Sequence, residues 1–439
     1  MSTQSAQWIA SARLLRRIGF GTTGREIDAA SATDPSTYLD QVFGSDPDRD
    51  PGAISTPVPQ FGPPGPPPGR NATPAARRQY NGQLNQQMAQ LSDWWLSRMV
   101  AVQQPAHEKL TLLWHNHFAT SASKVRMAGW MAAQNQKLRT LKLGDFHTLA
   151  YAMLTDAAML RWLDGQLNTS KAANENLARE FMELFALGHG NGYTEADVRN
   201  GARALTGWVI RGDGQTSIVP RRHDAGTKTV LGVTADLDTA SFCNAVLAQP
   251  NSGRFVAGRM WQQLASDTAP SEQALDRLVG AYGPGRDLRA LTKAVLTDAE
   301  FTNNPAAMVN TPVEWLIGVL RTLQVPVDTP ERLKAINGAL KTLGQQPFYP
   351  PDVGGWPRGQ AWLSTASAGV RLQAANKLAK VGDLSTIEQA SPGDRIDAVG
   401  YLIGVGAWSD RTAGALKPLV AAPAQLVAAA VNTPEYLTS

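Results

Sequence analysis

The stretch Asn174-Glu175-Asn176-Leu177-Ala178-Arg179-Glu180-Phe181-Met182-Glu183-Leu184-Phe185-Ala186-Leu187-Gly188 decides the fold class. Its apolar residues recur at helical spacing and predict one amphipathic helix with a buried stripe. These residues are Leu177, Phe181, Leu184, Phe185 and Leu187. Gly188 follows the last of them, where a helix commonly ends. We therefore expect a helix around which the other elements pack.

The opposite face of this helix is polar. It carries Glu175, Asn176, Arg179, Glu180 and Glu183. Two interpretations stay open at this point. A run of charges usually faces water. Alternatively, the face lines a walled site in which Arg179 keeps one carboxylate ionised while the pKa of a neighbouring carboxyl is raised.

Composition excludes several classes of protein. A chain of 439 residues that is 43% hydrophobic can bury a large core, and 18% charged residues argue against disorder or a coiled coil. The net charge of +4 comes from scattered basic residues, so no nucleic-acid binding is expected. No apolar run is long enough for a membrane span. The single cysteine, Cys243, excludes an internal disulfide, and no G-x-S-x-G nucleophile elbow is present.

Helical periodicity along the rest of the chain predicts an all-α fold, a large multi-helix single domain. Residues 1–50 are expected to form N-terminal helices, and residues 51–74 a Pro/Gly-rich surface loop or linker. A flap over a site, using Phe61, is the alternative for that loop. Residues 75–386 are expected to form the helical core domain that carries the motifs. Residues 387–439 are expected to form Ala-rich helices that pack on it.

One region has strand character. Trp208-Val209-Ile210 and Thr229-Val230-Leu231 are rich in β-branched residues, which predicts a short β-ribbon near residues 209–234. We expect the loop of this ribbon to present His223 and Lys228. His223 is either a loop histidine satisfied by a local hydrogen bond or part of a site.

A histidine segment, Trp114-His115-Asn116-His117-Phe118, ends a helix predicted to start at His107. Two histidines at i and i+2 lie on different sides of a helix, so they converge on a metal only if the helix ends there. Each is a candidate for a core histidine bonded to a neighbour, or for a ligand or acid/base group. His115 and His117 are therefore the candidate ligands of a divalent metal.

These motifs, in this order and spacing, resemble the bacterial domain-of-unknown-function family 1800. The further segments that carry the resemblance are Tyr193-Thr194, Thr206-Gly207-Trp208, His223-Asp224, Gly354-Gly355-Trp356-Pro357, Trp362 and Arg371. The resemblance implies no activity. It does imply a partner, because members are often encoded beside proteins of domain-of-unknown-function family 1501, which resemble the alkaline phosphatase and sulfatase superfamily. With no secretory signal visible, we expect the chain to be cytoplasmic, or exported folded with a signal-bearing partner.

Polar signatures of this kind suit a functional cleft better than packing. We expect an acid/base or metal-assisted, hydrolase-like enzyme, and the 12 tryptophans suggest a glycan-like or polyol substrate. The alternative is a non-catalytic helical scaffold, or a partner of a phosphatase/sulfatase-like exported protein. The candidate catalytic residues are Glu175, Arg179, Glu180, Glu183, His117 and His223. The candidate substrate-binding residues are Asn116, Asn174, Asn176, Asp164, Trp208, Lys228 and Trp356.

Overall fold

Helices make up most of this protein, which confirms the predicted fold class. The computed structural model describes residues 3–62, 65, 67–303 and 308–438. Residues 63, 64 and 66, which belong to the predicted Pro/Gly loop, lie outside the described residues. None of the helices in the described ranges is both long and apolar enough to cross a membrane.

The first part of the chain up to the histidine segment contains α1 (Ala6–Ile18), α2 (Gly24–Ser31), α3 (Pro35–Gly44), α4 (Pro51–Ser55), α5 (Pro74–Ala101) and α6 (Ala106–His117). The middle part contains α7 (Ala122–Val125), α8 (Ala128–Leu141), α9 (Phe146–Leu154), α10 (Ala157–Trp162), α11 (Asn176–Glu180), α12 (Glu195–Ala204), α13 (Thr239–Leu247) and α14 (Pro250–Leu264). The last part contains α15 (Glu272–Tyr282), α16 (Leu288–Thr297), α17 (Ala299–Asn303), α18 (Pro312–Thr322), α19 (Pro330–Leu343), α20 (Thr365–Leu378), α21 (Ser385–Glu388), α22 (Arg395–Leu402), α23 (Asp410–Leu416), α24 (Pro423–Ala430) and α25 (Pro434–Leu437).

Side-chain caps start many of these helices. Thr23 and Glu26 form a capping box at α2, and Thr194 and Asp197 form another at α12. The carboxylate of Asp145 accepts a hydrogen bond from the backbone of Thr148 at the start of α9. Such caps satisfy backbone N–H groups that have no partner within the helix, so they fix helix starts from local sequence alone.

The Pro/Gly-rich segment differs from the prediction at its start. Residues 51–55 form α4 rather than loop, because proline suits the first helical position and the Asp50 carboxylate accepts from the backbone N–H of Gly52. The indole N–H of Trp94 on α5 then donates to the carbonyl of Thr56 at 2.9 Å. The beginning of the segment is thereby fastened to α5.

The region with strand character forms two separate hairpins instead of one ribbon. Strand β1 (Trp208–Ile210) pairs with β2 (Thr216–Ile218), and β3 (Lys228–Val230) pairs with β4 (Val233–Ala235). The predicted strands Trp208–Ile210 and Thr229–Leu231 therefore do not pair with each other. A short turn follows β1 and another follows β3, so each of these strands pairs with the strand that comes directly after it in the sequence. Lys228 consequently lies within β3 and not in a loop.

Two large apolar clusters meet at α6. Leu110, Leu113 and Trp114 belong to one cluster, which also contains the apolar stripe of the 174–187 helix. Leu112 belongs to the other, in which the helices from α18 onward pack on α5 and α8. The residues from Ala106 to His115 are all buried, including the charged Glu108 and Lys109. A helix that is buried on every side must satisfy its polar groups inside the protein.

Candidate functional site

The helix that begins at Asn176 changes its winding halfway along. It is α-helical as α11, and the segment Phe181–Ala186 continues it as a π-helix. The predicted stripe is buried at Leu177, Phe181 and Phe185, each 1% exposed, and at Leu187, whereas Leu184 is only partly buried. Gly188 has φ +92°, the left-handed conformation expected just past a helix end. Single π-helical turns within α-helices often occur at functional sites.

The outer face of α11 is an ion-pair cluster at the surface. The guanidinium of Arg179 donates to Glu175 Oε2 at 2.8 Å and to both oxygens of Glu195, at 2.7 and 2.8 Å. The side chains of Glu175, Arg179 and Glu195 are 37%, 31% and 62% exposed. The hydrogen bond from Arg179 lowers the pKa of Glu195. Sequence reasoning missed Glu195, although its position in the first turn after the Thr194 cap placed it close by.

Glu183 lies in the π-helical segment and is held by two side chains from the following turn. The Nδ1–H of His189 donates to Glu183 Oε1, and the phenol of Tyr193 donates to Oε2 at 3.2 Å. The side chain of Glu183 is 22% exposed and that of His189 is 83% exposed. Positive φ angles at Gly190 and Gly192 turn the chain back, which brings these two partners over the carboxylate. The signal for these two partners in the sequence was the glycine spacing at Gly188, Gly190 and Gly192.

Glu180 has a different environment from Glu183. It is half-buried, and none of the described residues forms a hydrogen bond with its carboxylate. Burial, with the nearby charge of Glu183 as a second cause, raises the pKa of Glu180 above its usual value, although Arg179 opposes this. The face therefore combines a carboxylate with two donors and a neighbouring carboxyl whose protonated form is favoured.

The two histidines of the 114–118 segment do not reach this face. His115 is 1% exposed, and its ring lies among those of Trp95, Phe348 and Trp356. Neither of its ring nitrogens has a hydrogen-bond partner within the described part of the chain. Burial lowers the pKa of His115 to about 3. This histidine is therefore uncharged near neutral pH.

His117 is held by the inner side of the π-helical segment. Its Nε2–H donates to the carbonyl oxygen of Phe185 at 2.9 Å, and its ring packs against five aromatic rings. Burial, reinforced by Arg259, lowers its pKa to about 3. The environments of His115 and His117 share no aromatic ring. Across the described ranges, no three or more His, Cys, Asp or Glu side chains are grouped as a metal site would require.

His223 lies in a hydrogen-bonded loop with structural partners. Its Nδ1 donates to the carbonyl of Thr206 at 2.9 Å, and the Thr206 hydroxyl accepts from the backbone of Asp224. Gly207, which follows Thr206 in the chain, donates its backbone N–H to the carbonyl of Asn168. The side chain of Asn168 accepts from the backbone of Asn174 at 2.9 Å. The structure thus links His223 and Asn174 through one loop network just before α11.

Four of the other predicted residues have local roles or partners of their own. Asn176 is exposed, and its backbone N–H donates to the side chain of Asn174. Three further side chains bond elsewhere: Asp164 to Lys124 at 2.8 Å, Trp208 to Thr239 at 2.9 Å, and Lys228 to Asp236 at 2.6 Å. These contacts stabilise the loops and hairpins around α12. They do not bring the three side chains to the face that contains Glu183.

Asn116 and Trp356 come together at a separate place. Asn116 Oδ1 accepts from the backbone of Trp356 at 2.8 Å, and a Cβ at Gly355 would lie 2.4 Å from the same oxygen. Glycine is therefore required for this close approach. Asn116 lines a cavity of about 50 Å³ whose other polar walls include the ion-paired Lys109 and Glu314. The cavity has room for water, but its lining residues are not those of the Glu180–Glu183 face.

The comparisons with known proteins agree with the motifs. No curated protein matches this chain, and no solved structure matches it. The family described as Protein of unknown function (DUF1800) matches residues 13–438, nearly the whole length. This chain therefore belongs to the DUF1800 family.

Proposed function

We propose that this protein is an acid/base, hydrolase-like enzyme whose reacting groups are Glu180 and Glu183. The observation that carries the proposal is that two carboxyl groups one helical turn apart have unlike environments. Two carboxyl groups in unlike surroundings can take the separate roles of acid and base in catalysis. The substrate class we propose is a glycan or polyol.

The roles follow from the two environments. Glu183 accepts hydrogen bonds from Tyr193 and His189, which hold its carboxylate in place, so we assign it as the base that takes a proton from water. Glu180 is the acid that gives its proton to the departing oxygen, since burial favours its protonated form. Arg179 is held between Glu175 and Glu195 and positions the start of this face.

No step of the proposal uses a metal. His115 and His117 were the candidate ligands, but their rings lie in separate aromatic surroundings, and His117 already donates to the carbonyl of Phe185. These residues do not fit a shared metal site. A role for His223 in the reaction is likewise not part of the proposal, because its Nδ1 is used by Thr206.

The experiment is a hydrolysis assay on a panel of nitrophenyl glycosides, with four purified proteins: the native chain, Glu183→Gln, Glu180→Gln and Glu272→Gln. Glu272 is an exposed matched control far along the chain, on α15. General acid/base groups contribute about 10²- to 10⁴-fold, so either of the first two variants should lose about that much activity while the control keeps it. The absence of turnover on every glycoside, or equal activity in all four proteins, would contradict the proposal.

The acid role of Glu180 also predicts a pH dependence. Its pKa is raised above the usual carboxyl value, so activity should fall as the pH rises through that pKa and the proton is lost. In Glu180→Gln this loss on the alkaline side should disappear, because the amide does not titrate. The pH profile of kcat measures both results.

A second candidate, a non-catalytic scaffold that binds a partner, is favoured by the exposure of the face. The carboxylates of Glu175 and Glu195 remain 37% and 62% exposed, as in a docking surface for a basic partner. The proposed partner is a protein of domain-of-unknown-function family 1501. Binding of the two purified proteins, measured by calorimetry, should weaken in Glu195→Lys and with added salt. If such binding is found and no glycoside is hydrolysed, the scaffold function replaces the enzymatic one.

A further inference from the structure

A cleft of about 550 Å³ lies away from the Glu180–Glu183 face, between the Pro/Gly-rich segment and α8. Its walls are residues 58–62, the first half of α8, Gln87 of α5, and Gly212 and Asp213 of the turn between β1 and β2. Small-molecule sites commonly have volumes of about 300–1,000 Å³. The cleft is therefore large enough for a small ligand.

Two aromatic side chains line this cleft. Phe61 and Trp130 are partly exposed, and both also pack on the apolar cluster of the C-terminal helices. A Cβ at Gly129 would lie 3.8 Å from Phe61, an ordinary van der Waals distance, so the loop lies against α8 at this point. A Cβ at Gly214 would lie 2.6 Å from the indole of Trp130, so the β1–β2 turn is seated against the edge of that ring. Contacts on both sides hold the aromatic wall in place.

The polar part of the lining consists of amides and one carboxylate. The amides are those of Gln60, Gln87 and Gln136, and the carboxylate is that of Asp213. Gln136 Oε1 accepts from Arg139 at 3.0 Å, which leaves its amide N–H₂ for a ligand. Arg139 itself is fixed by Glu108, so Gln136 is held on a rigid support. Asp213 Oδ1 accepts from the backbone of Gln215, which leaves Oδ2 for a ligand.

The chemistry of this lining selects the ligand class. The described lining residues include no Lys, Arg or His, so an anionic ligand would meet only the negative charge of Asp213. A ligand that suits it has an apolar face for the aromatic rings and hydroxyl groups for the amides. A neutral sugar or polyol ring has both features.

We infer that the cleft between Phe61 and Trp130 is a binding site for a neutral sugar or polyol ring. The inference rests on the proposed function for one point, that the ligand is a glycan or polyol. It adds the place in the molecule where such a ligand binds. It does not require the Glu180–Glu183 pair to be catalytic. A Pro-rich peptide also binds aromatic grooves, so it is included in the test as the competing ligand.

The test is calorimetric titration of the full chain with glucose, mannose, N-acetylglucosamine, cellobiose, inositol and a proline-rich peptide. Concentrations up to about 10 mM detect affinities near 1 mM. We expect at least one neutral sugar or polyol to bind. Trp130→Ala should weaken that binding about tenfold or more, and Gln136→Ala should weaken it less. The 6-phosphate of a sugar that binds should bind more weakly than the sugar itself, because of Asp213.

Two control variants make the result decisive. Glu183→Gln should bind the sugar as the native chain does, so loss of hydrolysis with retained binding separates this inference from the proposed function. Trp408→Phe, in the loop between α22 and α23, controls for a tryptophan change elsewhere. If circular dichroism shows that Trp130→Ala does not fold, binding is measured with Trp130→Phe and Gln136→Ala instead. No sugar or polyol binding, binding unaffected by these cleft variants, or binding of the peptide alone would overturn the inference.

Discussion

Helix α6 and the helix formed by α11 with its π-helical segment contain similar residue types but use them in opposite ways. In α6 the Glu108 carboxylate is 1% exposed and accepts hydrogen bonds from Arg98, Arg139 and Trp95. On α11, Arg179 and its carboxylate partners remain in contact with solvent. A buried charge must be fully paired inside the protein, whereas an exposed charge can interact with a ligand. This difference is why we propose a functional role for the exposed face, whereas the charged groups of α6 are already paired within the fold.

The largest effect should come from breaking the buried network of α6. Glu108→Gln keeps the shape of the side chain but leaves Arg98 and Arg139 without their buried counter-charge. We expect it to lower the free energy of unfolding by about 3–5 kcal/mol, the usual cost of removing one partner of a buried pair. Urea denaturation followed by circular dichroism measures this. A loss of less than about 1 kcal/mol would show that the network does not support the fold.

The same network predicts how stability responds to strong acid. Burial raises the pKa of Glu108, but Arg139 and Arg98 outweigh it and lower the pKa to about 2. Because the folded-state pKa lies below the unfolded value, this stabilisation is present above the unfolded pKa. The stabilisation is lost as the pH falls through the folded-state pKa of Glu108.

The buried histidines should make stability depend on pH in a milder range. Burial lowers the pKa of His107 from 6.5 to about 4, and those of His115 and His117 to about 3. Below pH 6.5 the unfolded chain therefore binds protons that the folded chain does not. Stability should therefore fall with decreasing pH by about 1.4 kcal/mol per pH unit for each histidine. Denaturation midpoints between pH 7 and pH 4 measure the slope.

His115→Leu sharpens this prediction. The leucine has a similar volume, does not titrate, and removes two ring nitrogens that lack partners among the described residues. The variant should lose about a third of the pH slope that the three histidines produce, and be as stable as the native chain or more stable near neutral pH. A slope unchanged from that of the native chain would mean that His115 is not the source of the pH dependence.

The smallest effect should come from the exposed helix face. Glu175 and Arg179 are four residues apart, and pairs of this kind contribute about 0.3–0.5 kcal/mol on a helix surface. A double-mutant cycle with Glu175→Gln and Arg179→Gln should give a coupling of that size, smaller still in about 1 M salt. A coupling above about 2 kcal/mol would place this pair in the same class as the α6 network and remove the contrast.

Local features were predictable from the sequence because they depend on a few neighbouring residues. Capping residues such as Thr23, Asp145 and Thr194 act within one helical turn, and the stripe of Leu177, Phe181 and Phe185 follows the helical repeat. Hairpin pairing was not predicted correctly, since β-branched residues indicate where strands form but not which strands pair with each other. The polar face was predicted, but the partners Glu195, His189 and Tyr193 came from the next turn and the next helix.

The sequence by itself determined the helical fold class and which residues are polar. Only the tertiary structure decided which polar residues are buried. His115 and His117 are two positions apart and identical in type, yet one lies unbonded among aromatic rings while the other donates to the carbonyl of Phe185. Nothing local distinguishes them, because burial and hydrogen bonding depend on side chains that are distant in the sequence. For the same reason Phe61 and Trp130, 69 positions apart, share a cleft only after the chain has folded.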